Sequence, residues 1–166
     1  MKTLQAIERP SGGNISGILA LRLFALTDVD AIYDADNYPV PPAGGQTGMT
    51  LASGSVDLKS GATPIEVFIS TKGTFTENKQ TSDAGEYWQQ TITAQTPSAT
   101  PDHAVGFDAL QGHYFIAEIK DSSLRYRLVG SIENPLRLDV SQSGFGYSLT
   151  LSGQSINQAF FLAAQI

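Results

Sequence analysis

Cysteine is absent from this chain, and its 166 residues include only two histidines and one tryptophan. The absence of cysteine excludes disulfides, thiolate chemistry and cysteine-based zinc sites. His103 and His113 flank a predicted helix, and no Gly-x-Ser-x-Gly nucleophile motif accompanies them. We interpret both histidines as solvated or structural residues. The sequence therefore predicts a protein that is not an enzyme and that uses no cofactor or metal ion.

Charged residues are also scarce, at 16% of the chain, against roughly 25% in an average soluble domain. Two explanations are open: other subunits permanently cover part of the surface, or the exterior consists of Ser, Thr, Gln and Gly. The net charge is −6, and no run of basic residues occurs. Because non-specific binding to nucleic acid needs Lys and Arg to neutralise phosphates, we do not expect this protein to grip DNA.

Long hydrophobic segments are missing as well. The longest, residues 18–26, has nine residues and contains Arg22, whereas a membrane-spanning helix needs about 20. Residues 1–13 contain no continuous apolar stretch of the kind found in a secretory signal. We expect neither a membrane partner nor export through such a signal. The length fits a single domain over residues 1–166.

Short runs of alternating apolar and polar residues fill most of the chain, which is typical of half-buried strands. In residues 63–70, for example, Ile65, Val67 and Ile69 share one face. Residues 18–26 alternate too, and although Leu and Ala also suit a helix, Gly17 and the short length favour a strand. The other predicted strands lie in residues 50–58, 73–77, 86–96, 114–120, 124–131, 136–140 and 144–151. Turns are expected at residues 78–85, 121–123 and 141–143.

Two segments depart from this pattern. Residues 27–49 contain three prolines and three glycines, which predicts a long irregular loop, with a short strand or turn near Asp28 and Ile32 before it. A short helix is predicted near residues 101–111, since Pro101 suits its first position and Gly112 ends it. The pattern as a whole predicts an all-β fold with one short helix, either a β-sandwich or a partly closed β-barrel.

An acidic cluster is the first candidate binding site. Calcium prefers several oxygen ligands, but the spacing of an EF-hand loop is absent, and acids of a solvated loop explain the cluster better. Its members are Asp28, Asp30, Asp34 and Asp36.

A set of aromatic residues is the second candidate, because aromatic side chains can form a platform for sugars. Aromatic residues on strands are more often core residues or cross-strand pairs. A carbohydrate-binding or adhesin module is therefore an alternative function. The four residues are Tyr87, Trp88, Tyr126 and Tyr147.

The C-terminal residues 159–166 are apolar almost throughout. Free termini are usually polar and poorly ordered. We therefore expect this segment to dock, either as an edge strand of its own sheet or against a neighbouring subunit.

Several segments resemble structural proteins of tailed bacteriophages and prophages, and most of all the tail tube proteins. The clearest resemblance lies in residues 114–138, where a strand, an Asp/Ser turn, Arg-Leu-Val-Gly and Asn-Pro-Leu follow one another. The other segments with this resemblance are residues 14–24, 73–96, 144–153 and 159–161.

This resemblance implies a β-sandwich or barrel with one flanking helix that forms rings, usually six-fold, which stack into a hollow tube. The implied partners are further copies of the chain and other tail or neck proteins of the virion. DNA would pass through the tube without specific binding. The implied location is the phage tail, after synthesis in the host cytoplasm. A neck or tail-terminator ring protein is the alternative within the same class.

The negative net charge agrees with a lumen in which DNA slides, because like charges prevent contacts with phosphates. The predicted lumen acids are Glu77, Asp83 and Glu86.

Residues 34–48 of the irregular loop and the hairpin tip, residues 78–85, are the predicted arms that reach the next ring. We expect that deletion of residues 36–46 leaves a folded monomer that no longer stacks. The candidate assembly-loop residues are Asp36, Asn37, Tyr38 and Val40.

Overall fold

The computed structural model describes residues 17–32, 50–51, 56–70, 73–97, 101–144, 146–156 and 158–162. Within these ranges the chain forms strands and one helix, which confirms the predicted all-β class with a short helix near residues 101–111. A short 3-10 turn, Leu26–Asp28, follows the first strand. The elements are β1 Ile18–Ala25, β2 Val29–Ile32, β3 Thr50–Leu51, β4 Val56–Leu58, β5 Ile65–Val67, β6 Thr74–Ser82, β7 Gly85–Gln95, α1 Pro101–Leu110, β8 Tyr114–Asp121, β9 Tyr126–Val129, β10 Leu136–Ser143, β11 Gly146–Ser155 and β12 Phe160–Leu162.

Ten of these strands form one large sheet. Eight of them follow the order β3-β12-β9-β8-β10-β11-β7-β6; β1 pairs with β8, and β5 pairs with β1. Its pairings are antiparallel except for β12 with β3. One edge of β8 pairs with β1, while the other edge is shared between β9 and β10. β2 and β4 form a separate two-stranded sheet. The branching at β8 gives two apolar layers, one on each face of that strand.

The central position of β8 follows from its sequence, because a strand buried on both faces is a nearly continuous apolar run. Phe115, Ala117 and Ile119 face the larger core, whereas Ile116 faces a second core. Glu118 shares that second face, is only 2% exposed, and lies 3.5 Å from the Arg22 guanidinium of β1. Burial of both faces makes β8 the strand on which the two layers are built.

The short strand expected near Asp28 and Ile32 is present as β2. Val29 and Ile32 are buried in the second core together with Val56 of β4. This pairing explains why regular structure continues beyond residue 27, into the segment for which the prolines and glycines predict a loop.

The predicted polar turn over residues 78–85 is wrong. Residues 78–82 continue β6 and pair with β7 up to Ser82 and Gly85, so only Asp83 and Ala84 lie in the turn. Gly85 has a φ of 122°, a conformation that other residues rarely adopt. A two-residue turn therefore closes a much longer hairpin than the polar composition suggests.

The predicted turn at residues 141–143 is also wrong, because these residues pair with Gly146–Ser148 and the turn lies beyond Ser143. Other strands are shorter than predicted. In residues 63–70 only β5 is regular, and in residues 124–131 only β9 is. Residues 160–162 dock on their own sheet as β12, which lies between β9 and β3 and so is not the predicted edge strand.

A bridge joins Ile18 at the start of β1 to Gly73 just before β6. It brings together the two ends of the path β1-β8-β10-β11-β7-β6. The contact is a single residue pair, so the described pairings do not form a continuous ladder around a barrel.

The strand registers define two opposite ends of the large sheet. Trp88 pairs with Ser155, and Arg137 pairs with both Ser152 and Tyr114. The β6–β7 turn and the β8–β9 turn therefore lie at one end, which we call the hairpin end. Helix α1 follows the other end of β7 and precedes β8, so it lies at the opposite end, which we call the helix end.

Candidate assembly surfaces

The four candidate assembly-loop residues, Asp36, Asn37, Tyr38 and Val40, lie outside the described residues. The other predicted site residues lie on the β6–β7 hairpin.

Strand β6 is a long edge strand. Its nine residues pair with β7 without a register shift, from Thr74 with Thr93 to Ser82 with Gly85. No strand of the described ranges pairs with its outer edge. Natural proteins usually protect such edges with proline, a bulge or an outward lysine. β6 has no proline and no bulge, and its one lysine, Lys79, forms an ion pair with Glu86 of β7.

The tip of the hairpin carries two of the predicted lumen acids. The Lys79 Nζ lies 2.6 Å from the Glu86 carboxylate, so these two charges neutralise each other across the hairpin. The turn is closed by Ser82, whose Oγ donates to the Gly85 carbonyl (3.2 Å) and accepts from the Ala84 N–H (3.3 Å). Asp83 is exposed in this turn. The hairpin tip is therefore exposed, and two of its charges, Lys79 and Glu86, balance each other.

Glu77 occupies a different environment from the other two acids. Its side chain is only 9% exposed. One carboxylate oxygen accepts hydrogen bonds from the Gln90 side chain (2.9 Å) and from the backbone N–H of Ala159 (2.7 Å). The other oxygen lies 3.9 Å from the Arg127 guanidinium. Because its oxygens already have partners inside the fold, Glu77 has a structural role that the sequence did not predict.

The contacts of Arg127 extend this Glu77 network to the C-terminal strand. The guanidinium carbon lies 4.5 Å from the ring centre of Phe161 and 5.4 Å from that of Phe75. Such cation–π contacts are worth about 0.5–2 kcal/mol each. Glu77 and Arg127 together fasten β12 to the base of the β6–β7 hairpin.

The four aromatic residues proposed as a sugar platform do not share one surface. Trp88 pairs with Ser155 near the end of β11, whereas Tyr147 lies near its beginning. Tyr147 packs on Phe107 of α1, with ring centres 4.8 Å apart. Tyr87 and Trp88 are adjacent on a strand and so point to opposite faces. Tyr126 contacts Lys120 instead.

The acidic cluster and the histidines are likewise spread out. Asp28 lies in the 3-10 turn and accepts a hydrogen bond from the Thr27 hydroxyl (3.4 Å). Asp34 and Asp36 lie outside the described residues. His103 is on α1, and His113 is exposed just after it. In the part of the chain that the structure describes, no three His, Cys, Asp or Glu residues are grouped as metal ligands would be.

An apolar cleft of about 250 Å³ lies between α1 and the sheet, and β5 forms part of its wall. Phe68, which follows β5, stands at the cleft with 77% of its surface exposed. Glu66 also borders the cleft, and its side chain is 76% exposed although the Arg22 Nε lies 3.6 Å away. Residues that line the cleft include Leu23, Val67, Pro97, Phe107, Leu138 and Leu149.

An exposed leucine occupies the β8–β9 turn at the hairpin end. Leu124 has a φ of 61° and is 65% exposed. Non-glycine residues pay about 1–3 kcal/mol for such a backbone conformation. The turn imposes it: the Asp121 carboxylate accepts from the backbone N–H groups of Ser123 (2.8 Å) and Arg125 (3.0 Å). The Leu124 N–H donates to the Asp121 carbonyl (3.0 Å).

Neither the cleft nor the strained leucine could have been found in the sequence. A leucine carries no signal for a positive φ, and the cleft combines residues from six distant segments. The length of β6, in contrast, is indicated in the sequence, because the β-branched residues Thr76 and Thr81 favour a strand that continues through this segment.

Comparison of the chain with protein-family models, with curated proteins and with solved structures finds no match. No helix in the described ranges is long and apolar enough to cross a membrane.

Proposed function

We propose that this protein is a structural subunit that self-assembles into rings, and that it serves as the tail tube subunit of a bacteriophage virion. The open edge of β6 is the observation that carries the self-assembly. The outer edge of this nine-residue strand pairs with no other strand of the described ranges, so the backbone groups that point outward form a template for a strand from another subunit. Pairing of these edges between subunits would satisfy the backbone groups and join the sheets around a ring.

The surface chemistry of the hairpin supports a permanent contact. The exposed side chains of β6 are mainly Thr, Asn, Gln and Ser, and its lysine is paired with Glu86. Edge strands that must stay free usually carry unpaired charges that repel another strand. The low charged fraction of the whole chain agrees with this, since an interface excludes charges from its centre.

The tube assignment depends on the resemblance of residues 114–138 and of the hairpin to tail tube proteins, and on the net charge of −6. A conduit for DNA should repel phosphates. Asp83, exposed at the hairpin tip, is the strongest of the three proposed lumen acids. Glu86 is balanced by Lys79, and Glu77 is held inside the fold.

Negative-stain electron microscopy over a concentration series, beside light scattering, tests the proposal. We expect rings or tubes of uniform diameter. Single rings that never stack would favour the neck or tail-terminator alternative. A monomer at every concentration would contradict self-assembly and would bring the carbohydrate-binding alternative forward. That alternative then predicts glycan binding that is lost in Trp88→Ala.

The role of the edge strand itself can be separated from general surface charge. Thr76→Lys with Gln80→Lys places two positive charges along β6, and both residues are exposed. We expect this variant to remain folded and to stay monomeric. The matched control is Gln95→Lys with Gln154→Lys, which adds the same charge at exposed positions of β7 and β11, strands paired on both sides. Equal assembly of both variants would rule out the β6 edge as the interface.

A further inference from the structure

The backbone groups at the outer edge of β6 can be assigned residue by residue. The N–H and C=O of Gly73, just before β6, both bond to Ile18 of β1, at 3.2 and 2.8 Å, and so point away from β7. Successive residues of a strand direct these groups to alternate edges. Even-numbered residues from 74 to 82 therefore bond to β7, with which β6 pairs without a register shift. The residues that point outward beyond Gly73 are Phe75, Glu77, Lys79 and Thr81.

The partner of this edge must be a strand of similar length. β1 meets the edge only at Ile18, where Gly17 bends the chain. In the part of the chain that the structure describes, β3 and β5 also pair on one side only, but they have two and three residues. β6 has nine. Among the described strands, β6 of a second copy is therefore the one that matches this edge in length.

We propose that β6 pairs with β6 of a second copy, antiparallel, with Asn78 opposite Asn78. The inference rests on the proposed self-assembly through the β6 edge and goes beyond it, because it names the partner strand and the register. The same patch then serves both subunits, which is an isologous contact about a two-fold axis. A ring built from such pairs contains an even number of subunits.

The backbone and the charges of β6 select the same register. With Asn78 on the axis, Phe75 opposes Thr81 of the second copy and Glu77 opposes Lys79, so every outward residue is paired. Any other register leaves at least one outward residue of each strand without a partner. The nearest shifts also place Lys79 opposite Lys79, or Glu77 opposite Glu77, and like charges directly opposite each other are destabilising.

The side chains on the other face of β6 suit this register as well. Thr76 opposes Gln80 and Thr74 opposes Ser82, and all four are exposed in the single chain. Asn78 faces its own copy, and its carboxamide carries both N–H donors and an acceptor oxygen. Two such groups can therefore bond to each other across the axis. None of these pairs contains a charged group, so the contact buries no charge on this face.

A cysteine at residue 78 provides a direct test, because the chain contains no cysteine of its own. Opposite residues between the backbone-bonded pairs have Cα atoms about 4.5 Å apart, and disulfides form at roughly 4.4–6.8 Å. Asn78→Cys, oxidised with copper phenanthroline, should therefore give a disulfide-linked dimer on a non-reducing gel. A variant that is folded by circular dichroism but stays unlinked would overturn the inference.

Thr76→Cys is the matched control, since residue 76 is exposed on the same face of the same strand. It opposes residue 80 of the second copy, so Thr76→Cys alone should form few dimers. A mixture of Thr76→Cys with an affinity-tagged Gln80→Cys should form the mixed disulfide. If Thr76→Cys alone links as efficiently as Asn78→Cys, the cross-links reflect random collision and the register is rejected.

Charge at residue 78 tests the two-fold contact without any cross-link. Asn78→Asp and Asn78→Lys each place like charges opposite each other, so each variant alone should dimerise up to about fivefold more weakly. A mixture of the two places opposite charges together and should associate more tightly than either alone, as measured by sedimentation. Equal dissociation constants for the mixture and for the separate variants would contradict the contact.

The outcomes distinguish this inference from the proposed function. Rings or tubes in which Asn78→Cys subunits stay unlinked would reject the β6–β6 pairing and leave the tube proposal standing. Dimers that are linked through residue 78 and never assemble further would support the pairing and reject the tube proposal.

Discussion

The backbones of Ile18 and Gly73 exchange two hydrogen bonds, of 2.8 and 3.2 Å, where β1 meets the start of β6. No side chain fits at residue 73. A Cβ atom there would lie 2.6 Å from the Ile18 Cγ1 and 2.7 Å from the Thr93 carbonyl oxygen. Glycine is thus required by the close approach of three strands at the bridge that joins β1 to the start of β6.

Gly73→Ala should therefore lower the free energy of unfolding by about 1–3 kcal/mol, the usual cost of an overpacked core position. Neither neighbour of the added methyl group can move away easily, because Ile18 is only 1% exposed and the contact at Thr93 is a backbone carbonyl oxygen. Urea denaturation followed by circular dichroism measures the change. An unchanged midpoint would mean that the Ile18–Gly73 contact yields without cost.

Gly106→Ala is the matched change at a glycine that has space around it. A Cβ atom there has no neighbour within 4 Å, and residue 106 lies in the middle of α1. Alanine should raise stability by up to about 1 kcal/mol, because glycine is the poorer helix former. The same urea titration applies, and destabilisation would show that α1 needs the flexibility of Gly106.

Glu77→Ala should loosen the C-terminal strand. It removes the acceptor of the Gln90 side chain and of the Ala159 N–H and leaves Arg127 without its carboxylate. We expect a loss of about 3 kcal/mol, typical of buried groups deprived of a partner. Hydrogen exchange should accelerate in residues 160–162 more than in β8.

Asp139→Ala is the control for that prediction. Asp139 also contacts an arginine, Arg137, at 3.9 Å, but both side chains are more than half exposed. Surface ion pairs contribute about 0–1 kcal/mol, so this variant should unfold almost as the unchanged protein does. A loss as large as that of Glu77→Ala would show that burial is not what makes the Glu77 network important.

Charge reversal at the hairpin tip should create affinity for DNA in the assembled protein. Asp83→Lys with Glu86→Lys replaces two negative charges by two positive ones, which changes the net charge by +4 per subunit, and should leave the hairpin pairing in place. We expect double-stranded DNA to be retained by the assembly at low salt and released as salt rises. The control, Asp57→Lys with Glu133→Lys, makes the same charge change at exposed positions elsewhere. Equal retention by both variants would contradict a lumen position for the tip.

Much of the fold could be predicted from local pattern, because burial on one face leaves an alternation that is visible in the sequence. The strands predicted at residues 18–26 and 114–120 and the helix predicted near residues 101–111 are present as β1, β8 and α1. The turns at residues 78–85 and 141–143 were misplaced for one reason. Polar residues on exposed hairpin arms resemble turns in composition, and only the pairing partner reveals that they are strand.

The candidate surfaces were less predictable. Glu77 was assigned to a lumen because an acidic residue on a polar strand resembles any other in sequence. Its partners Gln90, Arg127 and Ala159 come from separate strands or loops and become visible only in the folded chain. The Leu124 turn combines an ordinary Asp-Ser-Ser sequence with a backbone conformation that leucine disfavours, so composition gives no indication of it.

The pairing of β1 with β8 also sets an order of events during synthesis. Arg22 lies against Glu118, which is 96 residues later in the chain. A ribosome that has released β1 must still make most of the domain before the central partner of that strand exists. Closing so long a loop is slow, so β1 should acquire protection last in pulse-labelled refolding, after the β6–β7 and β10–β11 hairpins. Until then its apolar residues remain uncovered, which makes the nascent chain a natural client for chaperones.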